Sequence, residues 1–216
     1  LIFEEFFLFQ LGLVLRRREA DSVRKKSCMI QINDRIRRAA LNVLPFRLTS
    51  DQKRALKEIV DDLQRPCPMN RLLQGDVGVG KTIVALLAAL VAMENGLQVA
   101  VMSPTEILAE QHYLNLERLL RPSRFEAILL TGTLGVKARR EAWDRLASGA
   151  VHLAVGTQAL IQDAVRFKDL GLVIIDEQHR FGVLQRATLR EKGFNPDVLV
   201  MTATPIPRTL ALTAYG

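Results

Sequence analysis

The octapeptide Gly75-Asp76-Val77-Gly78-Val79-Gly80-Lys81-Thr82 constrains this chain more than any other stretch, because of what flanks it. The short run Arg71 to Gln74 enters it as a strand, and a long apolar stretch, Lys81 to Asn95, leaves it as a helix closed by Gly96. Strand, glycine turn and helix in that order belong to an open parallel sheet. The glycines let successive backbone N–H groups approach a ligand that Cβ atoms would hold off. The helix starting at Lys81 aims its positive end at the same place. The spacing G-x-x-x-x-G-K-T therefore suits a polyphosphate. The loop cradles it, Lys81 reaches its outer phosphates, and the Thr82 hydroxyl suits Mg2+. A plain turn between strand and helix would have no need of the closing Lys-Thr.

The alternation continues along the chain. Thr49 and Gln52 match a capping box, with Ala55, Leu56, Ile59, Val60 and Leu63 following at helical spacing, and Pro66 and Pro68 break that helix. Leu97 to Met102 reads as a strand, and Thr105 caps a helix running to about Leu120. Further strands are expected at 126–130, 152–155, 171–175 and 198–201, most of them separated by helices, with Trp143 as a packing anchor on a helix at 139–146. The expected fold class is α/β, a mostly parallel sheet with helices on both faces over residues 46–216, preceded by a helical segment at 1–45. Within that segment Asn33 caps a helix to Leu44, with Ile36, Ala40 and Leu44 on one stripe and Pro45 ending it.

At 216 residues there is room for one well-buried domain and an appendage. The first fifteen residues are very apolar, but Glu4, Glu5 and Gln10 interrupt them and the basic cluster Arg16-Arg17-Arg18 follows rather than precedes them. A secretory signal has the reverse polarity and a spanning helix needs roughly 20 apolar residues, so a helix buried against protein, and no membrane, is expected. Cys28 and Cys67 lack ligand-like spacing and read as idle thiols in a reducing cytoplasm. The net charge of +7 is concentrated: residues 16–38 hold nine Lys/Arg against three acids, and residues 46–216 hold 21 against 18. A solvated basic face and a phosphate-contacting one explain the first segment equally well. A first residue of Leu rather than Met reads as a piece of a longer protein.

A triphosphate site also needs a carboxylate at the end of a neighbouring buried strand. Leu172-Val173-Ile174-Ile175 is that strand, and Asp176-Glu177 follow at its carboxyl end, where open α/β sheets bind ligands. Asp176 suits Mg2+, through water, and Glu177 suits the general base that polarises an attacking water. The full run Asp176-Glu177-Gln178-His179 resembles the DExH box of superfamily-two helicases, and Thr202-Ala203-Thr204-Pro205-Ile206-Pro207-Arg208-Thr209 resembles their TAT motif in an extended form. With Arg180-Phe181-Gly182-Val183 and Gln185-Arg186, the chain is similar to the RecG family of branch-migration helicases. The transcription–repair coupling factor and the primosomal helicase share parts of this pattern but typically lack Gln-His at those two places. Residues 103–112 look like motif Ia, and Thr131-Gly132 and 155–160 resemble the strand-contacting motifs that follow it. The likeness covers 46–216, with less motif content in 1–45.

The resemblance implies a RecA-like lobe that binds ATP with Mg2+, and a whole protein that moves on branched or forked double-stranded DNA in recombination and repair. It implies catalytic roles for Lys81, Asp176, Glu177 and His179. It also implies coupling of chemistry to movement through His179, Thr202, Thr204 and Arg208, and DNA-backbone contacts at Pro104, Thr105, Thr131, Gly132, Gly156 and Thr157. Each of those has a simpler use: Thr105 is a good N-cap, Thr131-Gly132 an acceptable turn, and His179 a local cap. Phe46 and Gln52 look like an adenine-reading motif, and the capping box competes for the same Gln52 amide. His112 and His152 show no partner pattern and receive no role. A second RecA-like lobe would follow Gly216 and a DNA-reading wedge would precede the motor, so residues 1–216 alone are expected to bind nucleotide and hydrolyse it poorly. A GTPase-like switch would need an Asn-Lys-x-Asp element, which does not occur. A pure binding module with structural nucleotide stays as the competing class.

Overall fold

The computed structural model describes residues 4–5, 7–8, 11–12, 26, 28–44, 46–176 and 192–203. In chain order the elements are α1 (Asp34–Val43), α2 (Ser50–Leu63), β1 (Asn70–Gln74), α3 (Lys81–Glu94), β2 (Gln98–Met102) and α4 (Glu106–Leu120). They continue with β3 (Ala127–Leu130), α5 (Val136–Ser148), β4 (Leu153–Gly156), a 3-10 turn (Gln158–Ile161), β5 (Leu170–Asp176) and β6 (Asp197–Thr202). The six strands form one sheet in the order β1-β6-β5-β2-β4-β3, and every pairing is parallel.

Parallel strands covered on both faces read as unbroken apolar runs, and β2 and β4 are buried at every residue. Alternate side chains go to opposite faces. Val99, Val101, Leu172, Ile174 and Leu199 face the core under α1–α4, whereas Ala100, Met102, Val173, Ile175 and Val200 face the core beneath α5 and the 3-10 turn. Helix α3 is apolar all round because it is covered all round, with Val84 through Met93 buried between the sheet and α1 and α2. One polar side chain belongs to this interior. Gln98 is 3% exposed, and its amide donates to the Leu146 and Val151 carbonyls while accepting from the Lys168 and Asp169 N–H groups. An amide has that capacity and no more, so the group is fully satisfied.

The caps fall where the sequence places them. Asn33 accepts from the Ile36 N–H, Thr105 from the Leu108 N–H, and Thr49 with Gln52 forms both halves of a capping box. Trp143 packs, half-buried, against the core on the α5 side. The apolar start differs from expectation. Its described residues are helical, yet Phe7, Leu8 and Leu11 are 55%, 64% and 42% exposed. Periodicity shows that such a helix has an apolar face but not what lies against it. The next segment is docked. Ile30, Ile36 and Val43 join the core against α3, and the Asn95 amide pairs with the backbone N–H and carbonyl of Gln31. Lys26 forms a buried ion pair with Asp197 at 2.6 Å.

Candidate active site

The sheet register assembles the site. Gln74, the last residue of β1, lies beside Thr202, and Asp176, the last of β5, lies beside Met201. The glycine loop and the acid thus open from strands on either side of β6, at one edge of the sheet. The Gly75 N–H donates to the Thr202 carbonyl at 3.3 Å, fastening the loop to the strand expected to report on it.

Gly78 and Gly80 have φ of +86° and +88°, a region that costs an L-residue about 1–2 kcal/mol. A Cβ on Gly80 would also sit 2.4 Å from the Gln52 amide nitrogen. That closeness has a purpose. Gln52 Nε2 donates to the Val79 carbonyl at 2.9 Å while its Oε1 accepts from the Thr49 N–H at 3.0 Å. The sequence offered capping box or ligand contact; in the structure the cap takes the oxygen, and the nitrogen braces the glycine loop. The Lys81 ammonium donates to the Gly75 and Asp76 carbonyls at 2.7 and 2.8 Å, spanning the loop. Asp76, Val77, Gly78 and Val79 are exposed, Thr82 is half-buried, and Phe46 is 49% exposed.

Asp176 has a partner that the sequence did not suggest. His112 Nε2 lies 2.7 Å from Asp176 Oδ2, and both side chains are about seven-eighths buried (13% and 14% exposed). An ionised carboxylate only accepts, so Nε2 carries the proton. Thr82 and His112 line one small cavity of about 10 Å³ between α3, α4 and the sheet. His112 thus stands between Thr82 and Asp176, lining a cavity with the first and bonding the second. His152 stays a packing residue: it meets Phe125 edge-on at 5.1 Å, and burial, then Arg124, hold its imidazole below the ordinary value. Glu177, His179, Thr204 and Arg208 lie outside the described residues.

The three further motifs follow the carboxyl ends of β2, β3 and β4, which are neighbours in the sheet. Their groups differ in how far they face outward. Thr105 is exposed and serves as the α4 cap, and Thr157 is half-buried. Thr131 is 3% exposed with its hydroxyl on that of Thr133 at 2.9 Å. The Gly132 N–H donates to the Glu106 carboxylate at 2.8 Å. Gly156 is buried, and a Cβ there would lie 2.3 Å from the Leu130 carbonyl oxygen, which gives that glycine a packing reason of its own. Pro104 is half-buried beside these loops.

The sequence profile of the DEAD/DEAH box helicases matches residues 49–213, which is most of the chain and includes both the loop and the strand-end acid. The chain belongs to the DEAD/DEAH box helicase family. Within that family it is 53% identical over its whole length to the ATP-dependent DNA helicase RecG of Aquifex aeolicus and 51% identical to that of Bacillus subtilis. It covers 27% and 31% of those proteins, so the chain spans about a quarter to a third of the curated relatives it matches. Among solved structures, RecG bound to a three-way DNA junction superposes with a TM-score of 0.82 at 44% identity, covering 99% of this chain and 28% of that one. The DEAD-box helicase Mss116 bound to ssRNA and UDP-BeF superposes over 88% of this chain and 44% of that one, with a TM-score of 0.65 at 17% identity, which speaks for the shared fold. The RecA-like helicase lobe expected from the motifs is the fold observed.

Proposed function

We propose that residues 46–216 are the ATP-binding lobe of a RecG-type, ATP-dependent double-strand DNA translocase that remodels stalled forks and branched DNA in recombination and repair. One observation carries this reading. The phosphate loop and Asp176 flank β6 at the same edge of the sheet from which the loops after β2, β3 and β4 open. Chemistry and track therefore share one rim.

The cradle fits a magnesium triphosphate: glycines stand where side chains would collide or be strained, a lysine spans the loop, a threonine stands in the first turn of α3, and an aspartate ends β5. Lys81 would exchange its two loop carbonyls for phosphate oxygens, and Thr82 and Asp176 would hold Mg2+. Magnesium, when bound, screens the phosphate charge. Glu177 would take the proton of the attacking water, and Phe46 and Gln52 would border the adenine. Thr202, tied by its carbonyl to Gly75, would pass the state of the loop along β6, with His179, Thr204 and Arg208 continuing the coupling. On the track, a DNA phosphate at Gly132 would displace the Glu106 carboxylate from the backbone N–H, and Pro104, Thr105, Thr131, Gly156 and Thr157 would shape the remaining contacts. The second lobe and the wedge complete the motor, in the cytoplasm and at the nucleoid. Among the described residues no helix is long and apolar enough to cross a membrane.

In the full-length protein, forked DNA is expected to stimulate ATP turnover and drive branch migration, and Glu177→Gln to abolish both while nucleotide still binds. Undiminished DNA-stimulated turnover in that variant would sink the reading. The isolated lobe is expected to bind Mg-ATP and turn it over about 10³-fold or more below the full-length rate, because helicase lobes share their arginine fingers across the cleft. Single-turnover assays of the two proteins side by side decide this, with comparable rates as the contrary result.

A further inference from the structure

The His112–Asp176 contact joins two parts of the lobe that the motifs treat separately. His112 lies on α4, whose start carries Thr105 as its cap and Glu106 on the Gly132 N–H; Thr105 and Gly132 are among the residues assigned above to DNA. About 9 Å of helix, at roughly 1.5 Å per residue, separates Glu106 from His112. Ala109, Leu116 and Leu120 bury that helix against the sheet, so it moves as a unit. A carboxylate at a strand end can turn about two side-chain torsions, and a hydrogen bond of 2.7 Å to one oxygen selects an orientation. The other oxygen has no partner among the described residues.

We propose that His112 is a positioning residue: it orients the Asp176 carboxylate for magnesium and ties that ligand to the helix that opens on the DNA-facing loops. The proposal rests on the reading of Asp176 as a metal ligand given above. Groups that hydrogen-bond a ligating carboxylate govern metal affinity without touching the metal. Here the same group transmits position. When a phosphate takes the Gly132 N–H from Glu106, α4 is released at its first turn, and the shift reaches Asp176 through the imidazole. DNA engagement would thus adjust the metal ligand by a route separate from β6.

The test uses the full-length protein with Mn2+ as the probe, titrated in the presence of a non-hydrolysable ATP analogue and followed by the loss of the free-Mn2+ electron paramagnetic resonance signal. His112→Ala is expected to weaken Mn2+ affinity about tenfold, the lower end of what such partners contribute. His112→Gln, whose amide can still donate, should restore most of that loss. Binding of the analogue without metal should match wild type in both, which also certifies that they fold. Forked DNA should shift the Mn2+ affinity of the wild type and leave that of His112→Ala unmoved. Wild-type Mn2+ affinity in His112→Ala overturns the positioning role, and an equal DNA-induced shift in both proteins, or none in either, overturns the link to the track. Asp176→Asn separates the two levels. If it weakens Mn2+ binding and His112→Ala does not, this inference alone fails; if neither does, the metal-site reading fails with it.

Discussion

Asp197→Ala is expected to destabilise the lobe by about 3–5 kcal/mol, the cost of removing one partner from a buried ion pair. Asp197 and Lys26 have side chains 2% and 4% exposed, and the carboxylate also accepts from the Met69 N–H at 2.5 Å. Without Asp197 the ammonium keeps, among the described residues, only backbone carbonyls, those of Leu63 at 3.0 Å and Asp62 at 3.4 Å. Replacing both charges should cost far less. Lys26→Met with Asp197→Asn leaves an acceptor for Met69 and no stranded charge, so urea denaturation should show most of the loss recovered. A double variant as unstable as Asp197→Ala would contradict the argument. The Asp197 carboxyl also titrates in an accessible range. Burial pushes the Asp197 carboxyl up to about 6, helped by Asp62 and opposed by Lys26 and the Met69 N–H. A folded-state value above the ordinary 3.8 means that this group takes up a proton on folding between those two values, so its contribution to stability falls as the pH rises across that window. A carbon NMR titration should place the midpoint near 6, and Lys26→Met, which removes an opposing influence, should move it higher.

Lys81→Ala is expected to lower ATP turnover of the full-length protein by about 10²–10³-fold, the scale on which a single preorganised donor at developing charge acts. Among the described residues the ammonium meets the Gly75 and Asp76 carbonyls alone, so the fold should survive its removal, and thermal melting of the variant should stay close to wild type. Arginine is a poor replacement. Its planar fork cannot enter where a compact ammonium spans two carbonyls, so Lys81→Arg should stay well below wild-type turnover. Wild-type turnover in Lys81→Ala would remove the loop from the chemistry.

Most strands and helices were legible because punctuation and period agreed. Thr105 before α4, Gly96 after α3 and the unbroken apolar run of β5 each leave one conformation favoured. The glycine turn between β1 and α3 was legible for the same local reason. What escaped depends on partners far apart in sequence. His112 stands 64 positions from Asp176, and nothing local distinguishes it from a half-exposed polar residue on a helix. Lys26 looked like one more member of a basic cluster until Asp197 arrived beside it from the far end of the lobe. Gly156 carried a motif signature while also having to clear the Leu130 carbonyl, and a single sequence cannot separate those demands. Gln52 was ambiguous because its amide has two ends, and the fold uses both.

Strand β6 is gripped at either end, at Asp197 by Lys26 of the preceding segment and at Thr202 by the Gly75 N–H of the glycine loop. β6 is paired on both sides, with β1 and β5, and no loop intervenes between the two grips. The segment ahead of the lobe is therefore more than a tether. It is fastened to the same strand that fastens the glycine loop, so segment and loop share one member of the sheet.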